Sequence, residues 1–309
     1  MFKTAIVGCG GIGMAHGGSW RAIGAEIAAV VDVNPERAAM AAKEFNAKAL
    51  SSIDDLPDDL NAVSVVTNSQ AHYEIVSRLL PRFNVFCEKP LTLKIEEGEH
   101  LIALAKQYHR QLGVGFKMRF EPIFCKAKEL LPQIGKLMQI SSVKAQMYGA
   151  KPGFWIETSG ALCELSIHEL DLIGYIAGVY PEEVIYSRLF HRLNWPTEDG
   201  FSTVIRYSDN VTGMLQCNYC TRPPFDSRDI CLTFVGEDGL LRIERPDRIV
   251  LRTDKQHVIA VDPPVRNAFE QELEHFRDAV LGKHENQLDA ANANRMLALI
   301  LAIRKAAEK

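Results

Sequence analysis

The sequence predicts an α/β fold: an N-terminal doubly wound parallel sheet, then a C-terminal α/β domain with a large open, mostly antiparallel sheet. Three observations predict it. Short apolar runs alternate strictly with helical patterns over the first third of the chain, which is how a parallel sheet covered on both faces reads. The first of those runs breaks at Gly8-Cys9-Gly10-Gly11-Ile12-Gly13, a G-x-G-x-x-G match lying between a strand pattern and a helix pattern. Beyond residue 120 the alternation stops, and strand-like segments follow one another without helices between them.

Element by element, Thr4–Val7 reads as a strand and Ile12–Ile23 as a helix. Ile27–Val31 is the second strand. Pro35–Phe45 is a helix whose proline sits near its first position, where a missing N–H costs little. Ala62–Val66, rich in β-branched residues, is a third strand. Helix Ala71–Leu80, strand Val85–Cys87, helix Ile95–His109 and strand Leu112–Phe116 complete the series. A helix over Ile123–Leu131 then leads into a strand over Met138–Met147, and a mostly apolar helix spans Ala161–Ala177. From Val184 to Leu251 turn signals at Asp209-Asn210, Arg222-Pro223-Pro224 and Glu237-Asp238-Gly239 separate successive strands. Helices over Phe269–Leu281 and Asp289–Lys305 end the chain. The expected domains are 1–119, for dinucleotide binding, and 120–309, for substrate binding and oligomerisation, with the last helix a candidate to pack back on the first domain.

Composition narrows the function. The chain has 309 residues, 47% hydrophobic and 24% charged, which is globular rather than disordered. Thirty-five Lys and Arg against thirty-nine Asp and Glu give a net charge of −4, with no footprint for nucleic acid or an anionic membrane. No apolar run approaches the ~20 residues that span a bilayer, and the N-terminus does not read as a signal peptide. Seven cysteines, an odd number in a large chain, argue against a disulfide framework and for a reducing, cytoplasmic setting.

In the glycine motif, one glycine permits a tight turn, the next lets the backbone approach a pyrophosphate, and the third lets helix pack on strand. The N–H groups of the helix start then face phosphate. Asp32 ends the second strand about 20 residues further on, where an acid accepts hydrogen bonds from the adenosine ribose and repels a 2′-phosphate. NAD is therefore expected in preference to NADP, with Arg37 the one neighbour that could receive that phosphate.

At this point the chain resembles the Gfo/Idh/MocA family of oxidoreductases, named for glucose-fructose oxidoreductase and inositol dehydrogenase. The resemblance runs over nearly the whole length. It rests on the glycine fingerprint with Asp32, on Thr67-Asn68-Ser69-Gln70-Ala71-His72 and on Glu88-Lys89-Pro90. It continues in Gly115-Phe116-Lys117-Met118-Arg119-Phe120, in the segment Ser159 to Asp171, and in Phe269 to Phe276. The Glu-Lys-Pro tripeptide is its most diagnostic element. The resemblance implies a Rossmann domain followed by an α/β domain whose sheet builds a homodimer or homotetramer. It implies NAD as cofactor and a sugar, polyol or sugar derivative as substrate. Gly8, Gly10, Gly11, Ile12, Gly13, Asp32, Val33, Thr67, Asn68, His72, Glu88 and Lys89 are the expected cofactor contacts, with Glu88 near the nicotinamide ribose or carboxamide and His72 more a structural hydrogen-bonder than a catalyst.

The family assigns Lys89 the part of stabilising the alkoxide that develops as an alcohol loses hydride, a role an ammonium fulfils electrostatically. The Lys89–Pro90 bond is cis in similar proteins. Glu164 and His168, four apart, share one face of a largely buried helix, and Asp171 continues that face. The resemblance makes His168 the general base and Glu164 its orienting acid; a plain structural pair is the alternative. Lys89, Arg119, Trp155 and His168 are the expected substrate contacts, Arg119 as a planar donor fork and Trp155 as a stacking face. Two positions depart from the family: Glu164 stands where Asp is commonest, and Asn68-Ser69 where Pro-Asn is usual. Cys217 and Cys220 have half the spacing of a zinc site but lack the second pair, so no metal is expected. The rival readings are an NADPH-dependent reductase of a sugar intermediate and a non-catalytic NAD-binding regulator.

Overall fold

A computed structural model of the chain describes residues 1–147, 154–221 and 228–308. In chain order the elements are β1 (Lys3–Val7), α1 (Gly11–Ala22), β2 (Glu26–Val31), α2 (Pro35–Phe45), β3 (Lys48–Leu50), β4 (Ala62–Val65), α3 (Ser69–Leu79), β5 (Asn84–Glu88), α4 (Ile95–Gln107) and β6 (Leu112–Gly115). Then come α5 (Pro122–Leu130), β7 (Leu137–Met147), α6 (Phe154–Ala161), α7 (Ile167–Ala177), β8 (Pro181–Phe190), β9 (Gly200–Tyr207) and β10 (Thr212–Thr221). The chain ends with β11 (Arg228–Gly236), β12 (Gly239–Glu244), β13 (Arg248–Arg252), β14 (Gln256–Ala260), α8 (Ala268–Val280) and α9 (Ala290–Ala306). It divides into two compact units, one of residues 1–117 with 266–297 and the other of 118–265 with 298–309.

The first unit holds a six-stranded parallel sheet in the order β3-β2-β1-β4-β5-β6. This is the doubly wound order 3-2-1-4-5-6, in which ligands bind outside the carboxyl ends of the strands where the order reverses, here between β1 and β4. Every residue of β4 and β6 is buried, as expected of strands covered on both faces. Residues 266–297 add α8 and the start of α9 to this unit. Phe276 of α8 packs edge-on to Phe86 of β5, with 5.3 Å between ring centroids. A Cβ on Gly113 would press into the Phe276 ring, so β6 needs a glycine there. The helices start where the chain chemistry allows: Asn34 caps α2 by accepting from the N–H groups of Glu36 and Arg37, and Asn68 caps α3 through Ala71. Strand β3 escaped the sequence reading because it is three residues long, at the sheet edge, with no buried residue to give it a period.

The second unit holds an eight-stranded sheet in the order β14-β13-β12-β11-β7-β10-β9-β8. All its pairings are antiparallel except β7 with β10, which run parallel. Burial alternates along β10, with Gly213, Leu215 and Cys217 inward and Thr212, Met214 and Gln216 outward, as in a sheet with one covered face. The expected helix over Ala161–Ala177 is not one regular helix. Gly160 has φ +80°, residues Leu162–Ser166 wind as a π-turn, and the α-helix resumes at Ile167. The cause is tertiary: Glu198 accepts from the Leu162 N–H at 3.0 Å, its own carbonyl accepts from the Ala161 N–H at 3.1 Å, and a Cβ on Gly160 would strike its carboxylate. Among the described residues no helix is long and apolar enough to cross a membrane.

Candidate active site

The dinucleotide cradle of the first unit follows from backbone geometry. Gly8 has φ +101°, and a Cβ there would lie 2.7 Å from the Val66 carbonyl oxygen. A Cβ on Gly13 would fall on the carbonyl of Gly8, so turn and helix can approach only as glycines. Gly10 and Gly11 face open space. Gly10 is the N-cap residue of α1 and offers no side chain, so the first-turn N–H groups are left to an anion. Those features fit the pyrophosphate of a dinucleotide.

Asp32 stands at the end of β2, half-buried. Its Oδ2 accepts from the Cys9 N–H and its Oδ1 from the Asn34 N–H, both at 2.7 Å. The carboxylate thus braces the glycine loop, and each oxygen keeps a second lone pair for a ribose hydroxyl. Val33, next to Asp32, is fully exposed, and Ile12 in the glycine motif is 47% exposed. Burial, then the Asp32 charge, pushes the Cys9 thiol up to about 11, so it stays a neutral thiol beside the cradle.

Farther along the same strand ends, Thr67 and Asn68 open α3. His72 is buried, with Nδ1 2.8 Å from the Pro90 carbonyl oxygen and Nε2 3.2 Å from that of Thr67. It ties the loop after β4 to the loop after β5. Lys89 begins that second loop, and its bond to Pro90 is cis, as the resemblance implied. Glu88 closes β5. Its Oε2 accepts from the Lys89 N–H and its Oε1 lies against His16 Nε2, both at 3.1 Å. Burial raises the Glu88 carboxyl, but the His16 hydrogen bond and the charges of His16, Lys89 and Lys117 outweigh it and hold the group below its ordinary value.

In the second unit the π-turn and α7 carry the polar stripe. Ser159 Oγ donates to Glu164 Oε1 at 2.5 Å, and both residues are buried. His168 is half-buried. Asp171 receives Arg119 as a two-toothed pair, Nε to Oδ2 at 2.7 Å and Nη2 to Oδ1 at 2.5 Å. Arg119 is 8% exposed, so its fork is committed to the helix rather than held out as an open donor. Lys144 of β7 pairs with Glu169 at 2.7 Å in full burial, and Ser166 hydrogen-bonds Tyr219 at 2.6 Å. Trp155 lies in α6, but its side chain is outside the described residues.

The sequence reading missed several groups. Glu198 and Arg304 form a 2.7 Å pair that also holds the Ser159 carbonyl, so the turn before Glu164 is pinned by residues remote in sequence. His16 and Glu272, beside Glu88, were likewise unassigned. Glu272 lies in the quoted Phe269–Phe276 segment, and an acid between apolar helical positions was the one available signal.

A doubly wound sheet, a side-chain-free helix start and an acid on the second strand define a dinucleotide-binding protein. Family models describe the two halves: "oxidoreductase family, NAD-binding Rossmann fold" matches residues 2–116, and "oxidoreductase family, C-terminal alpha/beta domain" matches residues 128–309. The chain belongs to the Gfo/Idh/MocA oxidoreductase family. Among curated relatives, a UDP-N-acetylglucosamine 3-dehydrogenase of Acidithiobacillus ferrooxidans is 26% identical over 99% of this chain and 97% of its own. An inositol 2-dehydrogenase of Ralstonia nicotianae is 26% identical over 91% and 86%. Solved structures of similar fold include the A. ferrooxidans enzyme (TM-score 0.89, 24% identity, 99% and 98% covered) and a levoglucosan dehydrogenase in complex with NADH (TM-score 0.88, 20% identity, 99% and 97% covered).

Proposed function

We propose that the protein is an NAD-dependent dehydrogenase that oxidises a secondary alcohol of a sugar, polyol or sugar derivative, or reduces the corresponding ketone. The observation that carries the reading is Lys89, set at the carboxyl end of β5 on the same strand-end edge as the glycine cradle and Asp32. Bound NAD supplies the hydride acceptor. Lys89 stabilises the alkoxide that forms as hydride leaves the carbinol carbon. His168 takes the hydroxyl proton as general base, and Glu164, itself anchored by Ser159, orients it. Arg119 acts on the site indirectly, holding the His168 segment in place through Asp171, and Trp155 is the stacking residue of this reading. The names of the relatives support a ring-shaped substrate rich in hydroxyls.

Asp32 favours NAD over NADP. The outward face of the second sheet, with Val143, Met214, Ile185 and Val258 more than half exposed, supports a homo-oligomer through that sheet. Seven free cysteines suit a cytoplasmic location. The test is a panel of sugars, inositols and nucleotide sugars with NAD, followed by NADH absorbance. At least one member is turned over by the wild type. Lys89→Ala lowers kcat by roughly 10²–10³-fold and leaves NADH affinity within a few-fold. Full turnover by Lys89→Ala refutes the mechanism.

A further inference from the structure

In the first unit α1, β5 and α8 meet around three groups, of which Glu88 alone is among the expected cofactor contacts. His16, Glu88 and Glu272 each turn one nitrogen or oxygen to a common point, all within 4.8 Å of one another. Aromatic rings wall the point: His16 lies 5.6 Å from Phe86 and 5.3 Å from Phe269, centroid to centroid, and Phe86 packs on Phe276. Glu272 is 0% exposed. Among the described residues neither of its oxygens has a hydrogen-bond partner, nor has His16 Nδ1. A buried carboxylate with no donor is costly, and two carboxylates this close do not both ionise cheaply.

We propose that Glu272 is a positioning acid: a neutral carboxylic acid whose proton is shared with the Glu88–His16 pair, leaving Glu88 the single anion of the cluster and fixing it beside Lys89. The inference rests on the dehydrogenase reading for its consequence, but not for its chemistry. Glu88 has a tight seat. A Cβ on Gly115 would lie 3.1 Å from its carboxylate, which therefore rests flat on the β6 backbone while bonding the Lys89 N–H. A second negative charge behind it would push it off that seat. An O–H within 4.8 Å of Glu88 instead closes to a hydrogen bond by a turn of the Glu272 side chain.

Each element around Glu272 brings one charged or titratable group. Helix α1 brings His16, already facing Glu88; β5 brings Glu88; the residues after β6 bring Lys117, whose ammonium lies 3.7 Å over the Phe269 ring. Lys89 acts on Glu88. The two lysines are partly solvated, so they do not repay the burial of a second anion. Burial first, and then the Glu88 charge, hold the Glu272 carboxyl well above its ordinary value against the opposing pull of Lys117. A divalent cation is the competing occupant. Bound through His16 Nε2 it would displace the Glu88 contact, and it would stand near the charges of Lys89 and Lys117.

The test uses the full-length protein. Infrared spectra of the wild type at neutral pH contain the C=O stretch of a protonated, deuterium-sensitive carboxylic acid. That band disappears in Glu272→Gln. Because Gln keeps the volume and a donor, E272Q retains kcat within about threefold, whereas Glu272→Leu, which offers no donor, loses roughly tenfold or more with NADH affinity nearly kept. Absence of the band overturns the proposal, as does equal damage in E272Q and E272L, or a stoichiometric divalent metal in the purified protein whose removal abolishes turnover. Failure of the dehydrogenase reading is separable: no panel substrate is then turned over while the infrared band stands.

Discussion

Replacing Asp32 with Asn separates two roles that one carboxylate combines. The usual expectation for this position is a change of cofactor preference alone. Here the carboxylate also accepts two backbone N–H bonds at 2.7 Å, from Cys9 in the glycine loop and from Asn34. Asn offers one acceptor oxygen, so one N–H must face an NH₂ group. A hydrogen bond to a charged acceptor contributes about 1.5–3 kcal/mol. Asp32 is only half-buried, so about 1–2 kcal/mol is the sensible figure after solvent screening. That lowers Tm by roughly 2–8 °C at the 2–4 °C per kcal/mol typical of domains this size. Because the bond lost supports the loop that holds pyrophosphate, NADH affinity falls by about 5–30-fold on the same energy, before any loss at the ribose. Relief of repulsion raises NADPH affinity, but from a loosened cradle, so D32N binds NADPH more weakly than the wild type binds NADH. The assays are differential scanning fluorimetry of the free protein and fluorescence titration with both dinucleotides. An unchanged Tm together with wild-type NADH affinity would show that the carboxylate does not brace the loop.

Three further outcomes follow from named contacts. Lys144→Met leaves Glu169 buried and unpaired and costs about 3–5 kcal/mol; adding Glu169→Leu recovers most of that loss, which thermal melts of the single and double variants measure. Gly160→Ala must adopt φ +80° and displace the Glu198 carboxylate, so it destabilises the protein by about 1–3 kcal/mol and lowers kcat more than it changes NADH affinity. Stability also depends on pH through Glu272. Its folded carboxyl titrates above the unfolded value of 4.5, so the native state holds a proton that the unfolded chain releases. The stabilisation is whole below that value and declines as pH rises toward the folded pKa, by up to about 1.4 kcal/mol per pH unit. The stability of E272Q relative to wild type therefore increases from pH ~5 to ~8, and a flat difference in denaturant midpoints across that range would contradict it.

Much of the fold was legible because its signals are local. The alternation of Thr4–Val7, Ile27–Val31, Ala62–Val66 and Val85–Cys87 with helical patterns marks a parallel sheet, and strands β1, β2, β4 and β5 lie on those segments. The cradle was legible for the same reason: Gly8 and Gly13 are demanded by backbone approach within one turn, and Asp32 is fixed by the length of one βαβ unit. What stayed hidden depends on partners far along the chain. No periodicity in 161–177 reveals that Glu198 and Arg304 will bend its entry into a π-turn. Nor does Arg119, read alone as an open fork, announce that Asp171 will fill it. The Glu272 site is of the same kind, since α1, β5 and α8 bring its members together from three regions of the sequence.

The second unit shows why a buried helix can afford so many acids. Glu164, Glu169 and Asp171 are each buried, yet each meets a donor from a different element: Ser159 at the end of α6, Lys144 on β7, and Arg119 before α5. Pairs of this kind add little net stability, because desolvation cancels most of the attraction. Their effect is geometric. Three anchors spaced along one segment and pulling in different directions fix its position along its axis and its rotation about it. An apolar contact alone would leave both softer, since hydrophobic burial is non-directional. His168 lies within that span, between the residue bound to Lys144 and the π-turn that carries Glu164. In the proposed mechanism His168 is the general base, which must sit within a few tenths of an ångström of its proton's path, and the anchors supply that constraint through the backbone. The π-turn serves the same end, because it shifts Glu164 relative to His168 from the register that a continuous α-helix would impose. The longer acid at position 164 is then matched to its setting by the turn and by Ser159, not by its own helix geometry.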